Sequence, residues 1–300
     1  MNIDVPQQLV QSHGDEHPEW LAALPRLVND FLGRWSLRRE GPTWHGCASL
    51  VLPVVRADGT PAALKLQPPT EENAGTALAL RTWNGDGVVQ LLEYDPDTST
   101  QLLERLDETR PLSAVPDDTT AITVLAELLA RLTAVPAPAG MRRLADVAAA
   151  MLDQTPDAVP ALRDPAERRL VQRCADVVAE VLGEPGDRLL HWDLHYDNIL
   201  AGGREKWLAI DPEPLAGDPG FDLLPALDNR WDDVVASGDV PGTVLRRFDL
   251  LTEALGLDRR RAYAWSMARV LQNALWDIED GEIALQPVQL AIAEALSARS

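Results

Sequence analysis

Between His191 and Leu200 the chain reads HWDLHYDNIL, which packs two of its five histidines, two aspartates and an asparagine into ten residues. Three readings compete for such a segment: a metal cage, a phosphoryl-transfer loop and a polar turn with no chemistry. If extended, it would project His191, Asp193, His195 and Asp197 on one face, because side chains alternate along a strand. Zinc asks for more nitrogen or sulfur ligands than that, and His13, His17 and His45 lie far away near the N-terminus. Phosphoryl transfer asks for a carboxylate to orient the acceptor hydroxyl, oxygen ligands for magnesium, and a lysine for nucleotide phosphates. His191, Asp193, Leu194 and Asn198 stand at the H-x-D-L-x-x-x-N spacing of a kinase catalytic loop. That makes Asp193 the candidate carboxylate and Asn198 a candidate magnesium ligand. Asp211 ends the apolar run WLAID, where a second metal ligand would be delivered to a cleft edge.

The lysine has a candidate too. All but two of the 27 basic residues are arginine, so Lys65, inside the apolar run PAALKLQPP, stands where arginine would not serve. An ammonium is a compact charge on a slim stem and a guanidinium a broad fork, so the two differ at a tight phosphate site.

These groups need elements to carry them. Apolar residues at helical spacing predict a helix over 18–33 ending at Gly33. Residues 35–67 predict three strands, with a Gly41–Gly46 loop placed to cover phosphates and a tight turn at 58–60. A helix over 71–83 and two more strands, VVQLLEYD and TQLLERL, complete the N-terminal third. Helices follow at 118–134, with Asp117 or Asp118 as N-cap, and at 142–153 and 164–183. A small β island carries the decapeptide, and further helices are expected near 221–235, 242–255, 259–280 and 284–298. This is an α+β pattern of segregated elements: residues 1–105 as a small lobe with a leading helix, a five-stranded sheet and one helix, and 106–300 as a larger helical lobe. The crevice between such units is where a ligand is expected.

Composition narrows the function classes. A net charge of −20 opposes a nucleic-acid partner and favours a cationic small molecule. No window is apolar enough for a membrane span, and the first twenty residues lack a secretory signal, so a cytoplasmic protein is expected. Cys47 and Cys174 are too few for a disulfide framework and are expected reduced.

The segments LLHWDLHYDNIL, WLAIDPEPLAGDPGFDLLPAL, AALKL and LLERLD resemble the aminoglycoside phosphotransferase family of small-molecule kinases, in particular its streptomycin 6-phosphotransferase and hydroxyurea phosphotransferase branch. The resemblance implies a protein-kinase-like bilobal fold, a small antiparallel-sheet lobe over a larger helical one, with ATP and Mg2+ in the cleft. It implies that the backbone of Glu104 and Leu106 holds the adenine, that His191 and His195 brace the loop, and that Asp218 and Asp222 cap a helix or tie the loop down. Many relatives have glycine where this chain has Trp192, which makes that ring either packing or a wall of the acceptor site. The glutamate that a kinase pairs with its lysine aligns with Thr76, so Glu72 or Glu71, one turn earlier, is expected to pair with Lys65. Asp232, Asp233, Asp277 and Asp280 are the acceptor-site carboxylate candidates. The implied reaction moves the γ-phosphoryl of ATP to a hydroxyl of a streptomycin-like aminoglycoside. Hydroxyurea, an amino sugar or another metabolite as acceptor, and a catalytically silent nucleotide-binding protein, are the alternatives.

Overall fold

The computed structural model describes residues 6–14, 16–45, 49–71 and 73–298. Helices α1 (Gln7–His13) and α2 (Pro18–Arg34) precede strands β1 (Arg38–Arg39), β2 (Trp44–His45), β3 (Leu50–Val55) and β4 (Pro61–Leu66). Helix α3 (Thr76–Trp83) and strands β5 (Leu91–Asp95), β6 (Thr100–Glu104) and β7 (Asp107–Pro111) come next. Then follow α4 (Asp118–Thr133), α5 (Leu144–Ala158), α6 (Pro165–Val181), β8 (Arg188–Leu190), β9 (Ile199–Ala201), β10 (Trp207–Ala209) and β11 (Leu215–Gly217). The chain closes with α7 (Leu224–Leu227), α8 (Trp231–Ala236), α9 (Val240–Leu255), α10 (Arg259–Glu279) and α11 (Pro287–Ser297).

The first sheet is antiparallel in the order β1-β3-β4-β6-β5, with β2 also on β3. The expected first strand is the short β1, and the Gly41–Gly46 segment expected as a loop carries the short strand β2 after Gly41, whose φ is +111°. The end of the Gly41–Gly46 loop and Cys47 lie outside the described residues. Alternation gives the sheet two uses. Leu50, Leu52, Val54, Leu64, Leu66 and Leu102 face Leu24, Val28 and Phe31 of α2 and form one buried core. The opposite face carries Val51, Pro53, Ala63, Lys65 and Leu103 into a cleft. A larger core joins the helices around α10 and takes in Ala79, Leu80 and Trp83 of α3.

Two expected helices are corrected. The helix foreseen over 71–83 begins at Thr76, because the Asn73 side chain bonds the Pro68 carbonyl and the Thr70 amide and commits that segment to a turn. The single helix foreseen near 221–235 is a 3-10 turn over Pro219–Leu223, then α7 and α8, broken at Arg230 with φ +47°. Asn229 accounts for the break: its side chain accepts from the Tyr196 amide at 2.9 Å and donates back to the Pro225 carbonyl at 2.9 Å. That exchange takes the residues after α7 out of helical register and sets them against the decapeptide. Asp117 is the N-cap of α4, its carboxylate accepting from the Thr120 amide at 2.9 Å. Cys174 is buried as a free thiol. Among the described residues no helix is long and apolar enough to cross a membrane.

Candidate active site

The decapeptide is not the extended strand that would align four side chains. After β8 the backbone turns through Trp192 at φ +67°, and Tyr196–Asn198 form a 3-10 turn leading into β9. A bulky residue at positive φ is strained and persists only where its surroundings over-determine it. Asp222 does so, its fully buried carboxylate accepting from the amides of His191 at 2.8 Å and Trp192 at 2.9 Å. Of the two aspartates expected to cap or to tie the loop, Asp222 therefore ties it. Asp218 caps, accepting from the Gly220 amide at 2.8 Å and from Arg261. Burial pushes Asp222 up to about 7, against the pull of the two amides.

His191 is fully buried and stacks on Trp83 at 6.3 Å. Its Nε2 meets the Ile210 carbonyl at 3.0 Å, so Nε2 carries the proton and ties the loop to the strand before Asp211. Burial pushes its pKa down to about 4 despite nearby Asp193, which keeps it neutral. Asn198 donates its side-chain nitrogen to the Asp193 backbone carbonyl at 2.8 Å and carboxylate at 3.1 Å, while its backbone carbonyl accepts from the Ile210 amide at 2.9 Å. Asp193 and Asn198 are thereby bonded to each other and to Ile210, the residue before Asp211.

Lys65 reaches this assembly from β4. Its Nζ lies 2.8 Å from Asp211 Oδ1, and the lysine is 6% exposed. The carboxylate that meets Lys65 is therefore Asp211; Glu71 is exposed, and Glu72 lies outside the described residues. Asp211 itself sits at φ +56°. Thr76, at the aligned glutamate position, donates its hydroxyl to the Pro212 carbonyl at 3.2 Å and so fastens α3 to the segment that carries Asp211.

Two cavities flank these residues. One, of about 280 Å3, lies between the sheet and the β island and is lined by Val51, Ala63, Lys65, Glu104, Leu106, Asn198 and Asp211, among others. The Glu104 side chain is not directed to a ligand: it pairs with Arg204 at 2.8 Å and accepts from the Gln90 amide. The other cavity, of about 210 Å3, is lined by Asp193, His195, Leu224, Pro225, Asp228, Arg269 and Asn273. A larger hollow of about 1110 Å3 between α6, α9 and α10 is lined by none of the residues expected to act.

Charge is concentrated in the smaller cavity. Burial raises the Asp193 carboxyl, but His195, His191 and Arg269 outweigh it and leave it below the ordinary carboxylate value. Burial also opposes a charge on His195, and Asp193, with Nε2 to Oδ2 at 3.6 Å, Asp197 and Asp228 reverse that and hold it above its usual value. Arg269 is buried among Trp192, Phe221 and Trp276, its guanidinium 5.3 to 5.8 Å from their ring centroids. Desolvation lowers it to about 10.

The remaining sequence candidates fall elsewhere. Trp192 is 1% exposed beneath Arg142 at 4.3 Å and stacked on Trp276 at 6.4 Å, so it is packing and not a wall. Asp232, Asp233 and Asp280 are exposed, Asp277 is half-buried, and none of them lines the cavity. His195, expected only to brace, faces the cavity. Asp228, Arg269 and Asn273 escaped the sequence reading, although Arg269, Gln272 and Asn273 interrupt an otherwise apolar stretch of α10, a signal of a buried polar site.

The set also meets the demands of a magnesium ion. Among the described residues no group of three or more histidine, cysteine or carboxylate ligands forms a cage. Magnesium does not ask for one, since it takes one or two protein oxygens and completes its shell with phosphate and water. With its amide nitrogen held by Asp193, Asn198 has its carbonyl oxygen left to offer beside the Asp211 carboxylate in the same cavity.

Residues 34–281 match the aminoglycoside/hydroxyurea antibiotic resistance kinase family. The chain belongs to that family. It is 61% identical over 298 residues to a streptomycin 6-kinase of Streptomyces glaucescens, covering 98% of this chain and 97% of that one. It is 55% identical over 304 residues to a hydroxyurea phosphotransferase of Kitasatospora aureofaciens, covering 99% and 87%. Its fold is that of the crystal structure of aminoglycoside phosphotransferase APH(4)-Ia, with a TM-score of 0.61 at 13% identity over 91% of this chain and 98% of that one. The kinase family member is thus bilobal and protein-kinase-like.

Proposed function

We propose that this kinase transfers the γ-phosphoryl group of ATP to a hydroxyl of a streptomycin-like aminoglycoside in the cytoplasm. The observation that carries the reading is the grouping of Lys65 bonded to Asp211, of Asn198 bonded to Asp193, and of the backbone bond from Ile210 to Asn198 between them, which joins a cleft suited to a nucleotide to a second cavity suited to an acceptor. The 61% identity to a streptomycin 6-kinase supports the acceptor class.

Asp193 accepts a hydrogen bond from the acceptor hydroxyl, aligns it with the phosphorus and takes its proton as the new bond forms. Its lowered pKa leaves it ionised at neutral pH, and Asn198 and His195 fix its orientation. Lys65, aimed by β4, holds the α- and β-phosphates. The backbone of Glu104 and Leu106, where the chain leaves the first sheet, holds the adenine edge. Asn198 and Asp211 would hold magnesium, which would supply neutralisation of the developing phosphate charge. Positioning and charge stabilisation supply most of the acceleration in such transfers.

A second acceptor, hydroxyurea, is favoured by the 55% identity to a hydroxyurea phosphotransferase. Incubation with ATP, magnesium and a panel of a streptomycin-type aminoglycoside, hydroxyurea and amino sugars, followed by mass spectrometry, separates the readings. A gain of one phosphoryl group on the guanidinylated aminoglycoside is expected. Phosphorylation of hydroxyurea alone would move the assignment, and ATP binding without any product would reduce the chain to a nucleotide-binding protein.

A further inference from the structure

We infer that Asp228 is the seat of the acceptor's cationic group, and that this group is carried by the same ring as the hydroxyl presented to Asp193. The inference rests on the kinase reading and adds to it the residue that selects the acceptor.

Asp228 is the unmatched carboxylate of the site. Asp222 accepts from two amides, Asp218 from an amide and Arg261, Asp193 from Asn198, and Asp118 from Arg247 and Tyr196. Among the described residues the carboxylate oxygens of Asp228 meet no hydrogen-bond donor and no ion-pair partner; its backbone amide alone is engaged, by the Leu224 carbonyl. It nevertheless sits half-buried in the cavity wall, and burial raises its pKa to about 6. A buried carboxylate without donors is costly, and an arriving cation would supply the missing ones.

Two features decide what that cation is. Arg269 is shared among Asp193, Glu213, Asp222 and Asp228, His195 among Asp193, Asp197 and Asp228, and Arg247 pairs with Asp118, so none of these cations is committed to Asp228. The cavity, of about 210 Å3 and open to solvent on one side, is of a size to seat one substituted ring. Asp193 and Asp228 share that space, so a hydroxyl at one and a cation at the other belong to one ring, whose carbon edge Leu224 and Pro225 contact. A planar guanidinium can engage both oxygens of Asp228 at once, which an ammonium does less well.

The test uses Asp228→Asn, which keeps shape and removes charge, with two acceptors: a guanidino-cyclitol aminoglycoside and its analogue with a neutral urea in place of the guanidine beside the reacting hydroxyl. Equilibrium titration without nucleotide should show the cationic acceptor bound about 10- to 100-fold more weakly by the variant, and the urea analogue changed by less than about threefold. Asp228→Glu should recover part of the loss. Kinetics with ATP should place the same loss in the acceptor KM and not in kcat. The variant should melt no lower than the parent, since it loses an unpaired charge, so a misfolded variant would be recognised. Equal losses for both acceptors, or none for the cationic one, overturn the inference. Binding that follows the prediction while ATP yields no product overturns the kinase reading and leaves the seat standing.

Discussion

The two cavities on either side of Asn198 differ in how their charges are settled. In the one proposed for ATP the polar groups are already matched: Lys65 holds Asp211 at 2.8 Å, and Glu104 holds Arg204 at 2.8 Å. In the one proposed for the acceptor, Asp193 is oriented by Asn198 and His195, while the Asp228 carboxylate faces the space with no hydrogen-bond donor among the described residues. A site for phosphates must exchange one set of charged partners for another, so its residues can compensate one another until the nucleotide arrives. A site that selects among small molecules gains discrimination from an unpaired group, because a ligand lacking the complement leaves that group buried and unsatisfied.

The contrast breaks most visibly at Asp193. Asp193→Asn should lower kcat by about 10²- to 10⁴-fold, the usual worth of a positioned general base, while nucleotide binding measured by thermal shift changes little. Turnover within tenfold of the parent would assign the proton elsewhere. Lys65→Ala comes next. It should raise the KM for ATP by about 10- to 100-fold, since charge-assisted bonds to phosphate are lost and Asp211 is left without its ammonium. Acceptor affinity measured without nucleotide should stay the same; if it falls in step, the two cavities are one charged system and the contrast is wrong.

The same division governs what could be read in advance. Lys65, Asp193, Asn198 and Asp211 each lie in a local segment whose alternation or spacing has meaning by itself, so their chemistry shows in the chain before it folds. Asp228, Arg269 and Asn273 come together only because Asn229 breaks a helix against Tyr196 and because one face of α10 turns inward, and both are long-range events. The charge of Asp232, Asp233, Asp277 and Asp280 on late helices marks solvent as readily as a site. Thr76 and Asp222 illustrate the intermediate case: each position stands out in the chain, and what it bonds depends on segments 136 and about 30 residues away. The helical lobe was largely legible because apolar periodicity is strong in long helices. The short strands around Gly41 and the broken 221–235 region were not, because turn bonding there outweighs propensity.

His191 and Asp222 are buried together behind the loop that carries Asp193, and their protons act on stability in opposite directions. His191 falls to about 4 in the folded protein from 6.5, so the unfolded chain binds the extra proton and stability is lost as pH falls from about 6.5 to 4. Asp222 rises to about 7 from 3.8, so the folded chain binds the extra proton and stability is lost as pH rises from about 4 to 7. The two slopes offset one another over most of that window. His191→Gln should therefore uncover the Asp222 slope: its stability relative to the parent should improve by on the order of 1 kcal/mol per pH unit on going from pH 6.5 to 4. Urea denaturation at four pH values checks this, and parallel curves for the two proteins would show that His191 titrates alike folded and unfolded.

The smallest expected effect separates the cavities most finely. Thr76 gives one buried hydrogen bond, 3.2 Å to the Pro212 carbonyl, next to Asp211 in its left-handed conformation. Thr76→Val keeps the shape of the side chain and removes that bond, worth about 1 kcal/mol, so the Asp211 segment is held less firmly against α3. The loss should appear as a rise of about fivefold in the KM for ATP and in the magnesium concentration needed for half-maximal nucleotide binding. Thr76→Ser, which restores the hydroxyl, should recover most of it. Acceptor affinity should not move, since Thr76 touches nothing in the cavity of Asp228. A rise in acceptor KM equal to that for ATP would mean that the Pro212 segment supports both sides, and Asp211 would then have to be counted with the selective half of the site as well as with the compensated one.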